Sequence, residues 1–359
     1  MTNNKVLMVI AALAVALWAA PIASAQQPYA GQTLRFATFG GAWQKWVEQT
    51  VGSRFTGQTG AAVEYVPGNP QQFLAQMIAS KGQSPPFDLA EMSEDTALQA
   101  ARLDLVDLKF DPKLIPNLDK LAPRWQPTDR LGPVIWTTGV VILYVPEKLK
   151  AAGISGPVTW DTLANPALKG HVAIPDIQQP QRGIWAAINK NKTGDEADFR
   201  ASLEAIRAIQ DPIIYSSAAA LQTRYNDGGV WAIVGISPWR PRFDPKGDTL
   251  AIAEYPVGDK KRIVQTAIAE IPKGTSKKEL AEIFINTYLS VDVQLSLTRT
   301  QGAGATNLDA VAELKKDPGL APLVIGSAQE AEQSFFADWE KLTSVYPQWV
   351  DQWNRAMRR

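Results

Sequence analysis

The chain of 359 residues contains no cysteine and a single histidine, His171. Without cysteine there is no disulfide scaffold, thiolate zinc site, iron–sulfur cluster or thiol nucleophile. One histidine leaves no His-based catalytic triad and no multi-histidine metal centre. Net charge is absent too: 36 Lys and Arg offset 36 Asp and Glu, which argues against the basic face of a nucleic-acid binder. Familiar catalytic motifs are missing. Neither GxxxxGK[ST] nor HExxH occurs. Residues 302–307 (GAGATN) fail GxGxxG at the sixth position, and residues 235–239 (GISPW) fail GxSxG at the fifth. No cofactor and no metal are therefore expected.

The longest apolar run covers residues 6–20, 15 in all, short of the roughly 20 needed to span a bilayer. It follows Lys5, is broken by Pro21, and is trailed by Ala23-Ser24-Ala25. That layout is a secretory signal peptide, so residues 1–25 are expected to be removed on export. No cysteine follows the run to take a lipid anchor.

Twelve tryptophans are present, useful wherever a flat group or alkyl chain must be gripped. Residues 33–38 (TLRFAT) alternate polar and apolar, which predicts a strand. Gly40-Gly41 follows, then apolar residues at helical spacing from Trp43 to Phe55. Residues 62–66, 71–80, 87–92 and 96–102 continue strand, helix, strand, helix, a pattern that implies a mostly parallel sheet covered by helices. Residues 133–145 (PVIWTTGVVILYV) are β-rich and longer than an ordinary strand, so they are expected to cross between lobes. Strand–helix alternation restarts after about residue 140. Residues 158–163 predict a Thr-capped helix, residues 276–289 a helix with Leu280, Ile283, Phe284 and Tyr288 on its apolar face, and residues 335–357 a closing helix whose aromatic stripe packs in a core.

Six segments carry a family resemblance: TFGGAWQKW (38–46), FDLAEMSED (87–95), WTTGVVILYVPEKL (136–149), VTWDTLANPALKGHVAIPD (158–176), AEIPKGTSKKELAEIFINTYLS (269–290) and GAGATN (302–307). With them the chain resembles the extracytoplasmic solute-binding proteins of bacterial ABC importers, in the spermidine/putrescine-binding-like group. The resemblance implies an α/β, two-lobed periplasmic-binding-protein-like fold of type II. Each lobe is a mostly parallel sheet flanked by helices, and hinge strands join them. It implies lobe 1 from residues 26–137 and 268–307, lobe 2 from 138–267, and C-terminal helices at 308–359 packing mainly on lobe 2. It also implies a periplasmic monomer that is no enzyme, closes on a small-molecule solute and docks on an inner-membrane permease.

In open α/β sheets ligands sit beyond the carboxyl ends of the strands. The loops there nominate Gly40, Gly41, Trp43, Ser93, Asp95, Trp136, Thr138, Asp176, Trp239 and Arg240 as ligand-binding residues. A polyamine needs carboxylates for its ammonium ends and aromatic faces for its methylenes. Polyamine-binding relatives resemble this chain but carry an acid near Gly40–Ala42, another near Gln265–Ala267, and an aromatic at Ala303. Asp95 and Asp176 remain as acids, while Arg182, Arg240 and Arg242 lie in or beside the same loops. Inward arginines would favour an organic anion or zwitterion (carboxylate or phosphonate), inward aspartates an amine. The rival class is a secreted hydrolase using Asp95 and Asp176 as its carboxylate pair.

Overall fold

A computed structural model describes residues 27–80 and 83–357; the signal-peptide expectation falls outside them. The alternation at the start becomes β1 (Thr33–Thr38), with Leu34 and Phe36 fully buried. Helix Ala42–Val47 runs through a π turn into Ser53–Thr59 and stops at Gly60, whose φ of 78° is left-handed. β2 (Ala62–Pro67), helix Pro70–Ser80, β3 (Leu89–Ser93) and helix Glu94–Arg102 repeat the unit. After β4 (Val106–Asp107) comes β5 (Val134–Tyr144), one strand of 11 residues. β6 (Val172–Pro175), β7 (Ile213–Tyr215), β8 (Ala232–Ile236) and β9 (Ala251–Glu254) follow. β10 (Arg262–Pro272), again 11 residues, and β11 (Ser334–Phe335) complete the strands.

The main sheet runs β2-β1-β3-β10-β5-β8-β6-β7. β1, β2 and β3 are parallel at one end, as are β8, β6 and β7 at the other. β5 and β10 join the two ends in antiparallel pairing. β10 pairs with β3 through Ala267–Glu270, and β5 pairs with β8 through Val140–Tyr144. At about 3.3 Å per residue each strand reaches ~36 Å, enough to belong to both lobes. β5 changes core along its length. Val134, Ile135 and Trp136 pack with Phe36, Phe55 and Phe284, whereas Val140 and Ile142 pack with Trp185, Phe199 and Trp349. Val141 and Leu143, on the alternate face, join a third cluster with Tyr215, Trp239 and Phe243.

A further crossing lies where Thr137 and Gly304 exchange backbone hydrogen bonds of 2.9 and 2.7 Å. A Cβ on Gly304 would stand 2.4 Å from the Leu323 carbonyl oxygen, so the approach admits only glycine. Thr159 caps helix Trp160–Leu163 in a reciprocal box with Thr162. Helix Leu308–Leu314 packs beside helix Val291–Ser296. The closing helix Trp339–Met357 buries Trp349 and Trp353 in the second core, and the Trp349 indole donates to the Ala197 carbonyl at 2.9 Å. β7 and helix Ala218–Asn226 are additions to the sequence-based reading. The three residues Ile213–Tyr215 carry too little alternation to be read as a strand.

Candidate functional site

A cleft of about 600 Å³ opens between the lobes. Lobe 1 lines it with the loops that follow β1, β2 and β3, and lobe 2 with those that follow β6, β7 and β8. These are the carboxyl ends of the parallel strands, where the turn to a helix leaves amides and short polar side chains free. Trp136 and Thr138 of β5 and Gln265–Ala267 of β10 form the floor between them.

The lobe 1 wall is aromatic. The ring centroids of Trp43 and Trp136 are 5.0 Å apart, and Phe39 lies 6.4 Å from each. Behind these rings sits Glu91 of β3, fully buried. One of its oxygens accepts from the Thr38 hydroxyl and, at 3.1 Å, from the Trp43 indole; the other accepts from the Trp136 indole. Burial pushes the Glu91 carboxyl up to about 7 against the pull of those donors.

At the back of the cleft two charges cancel. Asp95, in the first turn of helix Glu94–Arg102, is ion-paired with Arg182, which precedes helix Gly183–Thr193 of the other lobe. Both residues are at most 5% exposed. Gln71 donates to the same Asp95 carboxylate at 3.4 Å. The Arg182 guanidinium lies 5.1 Å over Tyr346 and 5.5 Å over Trp339. Gln265 donates from β10 to the Pro180 carbonyl, which ties the loop that carries Arg182 to the cleft floor.

Two charges stay uncancelled. Glu94 lines the cleft from lobe 1 and accepts from Thr266 at 2.9 Å; burial raises its carboxyl, and the more distant Arg124 opposes that shift. Arg242 lines it from lobe 2 and donates to Gln222 at 3.3 Å; burial lowers its guanidinium. Among the described residues neither has an ion-pair partner within 4 Å.

Of the nominated residues, Gly40, Trp43, Ser93, Asp95, Trp136, Thr138 and Trp239 line the cleft. Gly41, Asp176 and Arg240 do not. Gly41 is taken up by the left-handed entry to its helix, φ 70°. Asp176 caps its own turn by accepting from the Gln178 amide at 2.9 Å. Arg240 turns away and clamps the 244–250 loop, donating to the Leu250 and Gly247 carbonyls at 2.9 and 3.0 Å. Trp239 touches the cleft with its edge of exposure only: it is 6% exposed, stacked on Phe243 at 5.5 Å and edge-on to Tyr215. Since Asp95 is paired with Arg182 and Asp176 is outside, the two acids nominated for a hydrolase share no cleft. Glu91, Glu94 and Arg242 were not among the nominated residues. Among the described residues no group of three or more His, Asp or Glu is placed to hold a metal ion.

Residues 36–295 match the family model of bacterial extracellular solute-binding proteins. The chain belongs to that family. It is a solute-binding protein of the kind that serves ABC importers. Solved structures agree on the fold over nearly the whole chain. An ABC transporter from Clostridium perfringens ATCC 13124 is 23% identical with a TM-score of 0.66, covering 90% of this chain and 99% of that one. The PBP AgtB of A. tumefacien R10, in complex with agropinic acid, is 17% identical with a TM-score of 0.73, covering 92% and 99%. A putative spermidine/putrescine ABC transporter from Listeria monocytogenes is 19% identical with a TM-score of 0.69, covering 91% and 100%. No curated protein matches the chain. No helix among the described residues of this solute-binding protein is long and apolar enough to cross a membrane.

Proposed function

We propose that this solute-binding protein works in the periplasm as a monomer, closes its lobes on a small zwitterion, and hands it to an inner-membrane permease. Removal of residues 1–25 on export belongs to the same reading. Residues 26–137 with 268–307 act as one closing unit and residues 138–267 as the other, hinged on β5 and β10.

The observation that carries the ligand class is the pair of unpartnered charges. Glu94 and Arg242 face one cleft from opposite lobes, each partly stripped of water. A desolvated charge without a counter-charge is costly. A solute bringing an ammonium to Glu94 and an anionic group to Arg242 relieves both at once, and does so only when the lobes close. Arg242 repels the second ammonium of a diamine. Asp95 gives a diamine no help, because Arg182 already neutralises it. The aromatic wall suits the solute's alkyl or flat middle.

A polyamine is the second reading. Glu94 beside the Trp43–Trp136 pair is chemically able to grip one ammonium.

Thermal shift with 5-aminopentanoate, putrescine and glutarate separates them. A ligand at about a thousand times its Kd stabilises the folded state by ~4 kcal/mol. The expected result is a shift with 5-aminopentanoate exceeding both others. A shift with putrescine alone overturns the zwitterion in favour of the polyamine, and one with glutarate alone points to an anion.

A further inference from the structure

Glu91 is an anomaly in its own strand. β3 reads LAEMS, and a charged residue fully buried at the centre of a sheet is rare unless it is paired. No cation faces it. What faces it are donors: the Thr38 hydroxyl and the indole N–H groups of Trp43 and Trp136. We propose that Glu91 is the positioning residue of the ligand cleft, its carboxylate fixing the planes of Trp43 and Trp136 so that their faces form the wall the solute meets.

The geometry makes the case in three steps. Trp43 begins a helix and Trp136 lies on β5, so no shared element holds the two rings together. Each indole has one donor and no acceptor. Directing both N–H groups at one buried carboxylate fixes both rings against a single point, 5.0 Å apart and inclined at 55°. A carboxylate suits this task and an amide does not. Ionised, as it is above about pH 7, it accepts at both oxygens, whereas a glutamine at any pH turns one end into a donor that meets an N–H or a hydroxyl head-on. The polar edges of the rings are thereby occupied inside the protein, and apolar ring surface is left for the cleft. Trp46, the second indole of the helix, is anchored elsewhere: it donates to Ser296 at 3.2 Å.

The test is a coupling experiment on the protein, with Glu91→Gln made in the natural background and in a Trp43→Phe/Trp136→Phe background. Near-ultraviolet circular dichroism reads the ring geometry without any ligand, and calorimetry with 5-aminopentanoate reads the wall's use. In the natural background Glu91→Gln is expected to change the aromatic dichroism and to weaken 5-aminopentanoate about tenfold, the scale of one charge-assisted hydrogen bond. In the double-Phe background it is expected to change neither, because the donors it orients are gone. Equal changes in both backgrounds make Glu91 a merely structural residue and overturn the proposal, as does unchanged dichroism in the natural one. Should Glu91→Gln fail to fold, Glu91→Asp keeps the charge but is one methylene too short to serve both indoles, and it takes the same comparison. The dichroism decides the point even if 5-aminopentanoate does not bind, so failure of the zwitterion reading is distinguishable from failure of this one.

Discussion

The two walls of the cleft are built on different chemistry. Lobe 1 presents rings, with Phe39, Trp43 and Trp136 set on a buried carboxylate that takes only donors. Lobe 2 presents mostly polar groups, with Gln178, Gln179, Gln181, Arg182, Ser216, Gln222 and Arg242 beside the edge of Trp239. The first wall is fixed from behind by hydrogen bonds to Glu91. The second meets the first through an ion pair, Arg182 to Asp95. An apolar face opposite a polar one would let the proposed closure desolvate a solute's middle and satisfy its ends.

The largest effect is expected where the walls are joined. Asp95→Ala leaves the Arg182 guanidinium buried without its counter-charge, and removing one partner of such a pair costs about 3–5 kcal/mol. Urea unfolding is expected to show that loss. Combining Asp95→Leu with Arg182→Met removes both charges and should recover most of it. A double variant as unstable as Asp95→Ala would mean that the packing of the two side chains, not their charge balance, holds the lobes together.

The lobe 1 side also carries a pH signature. Burial pushes the carboxyl of Glu91 up to about 7 and that of Glu270 up to about 8, from an ordinary 4.5. Glu270 accepts from the Gly132 amide at 2.9 Å on one oxygen, and its other oxygen has no partner among the described residues. Between pH 4.5 and these raised values the unfolded chain has lost protons that the folded one keeps. The stability these two groups contribute is therefore fully present below about 4.5 and falls as pH rises to about 8, by at most ~1.4 kcal/mol per unit for each group. Denaturant midpoints across that range check the slope. Glu270→Gln should flatten it, and an unchanged slope would place the proton uptake elsewhere.

Next in size are the two free charges. Glu94→Gln and Arg242→Gln each remove one charge-assisted contact to a zwitterion, worth roughly 10- to 100-fold in affinity. The selectivities should move in opposite directions. Glu94→Gln improves glutarate relative to 5-aminopentanoate, and Arg242→Gln improves putrescine. Calorimetry on the three solutes reads both, and a uniform loss in either variant would show that the residue shapes the cleft without meeting the solute's charge.

Much of this architecture was legible in the chain. Period-two alternation in residues 33–38 and a 13-residue β-rich stretch at 133–145 gave β1 and the crossing β5, because strand periodicity is local. Loop position after each parallel strand located most of the cleft. The direction of each side chain was not local. Asp95 and Arg182 are far apart in sequence, so their mutual neutralisation is a tertiary fact. Glu91 left a trace, an acid inside an apolar strand, but its two indole partners sit on a helix and on a distant strand.

Arg240 and Arg242 state that limit most sharply and give the smallest expected effect. They are two residues apart in one short helix, Trp239–Phe243, and the same residue type. A helix turns by about 100° per residue, so positions two apart point nearly opposite ways. Arg242 accordingly lines the cleft, and Arg240 spends its donors on the Leu250 and Gly247 carbonyls. Arg240→Ala should loosen the 244–250 loop yet leave the affinity for 5-aminopentanoate within about twofold of the natural protein, the range of a substitution away from the site. Calorimetry on the two single variants side by side makes the comparison. If Arg240→Ala weakens binding as much as Arg242→Gln does, the loop it clamps forms part of the polar wall, and the lobe 2 face of the cleft extends to residues 244–250.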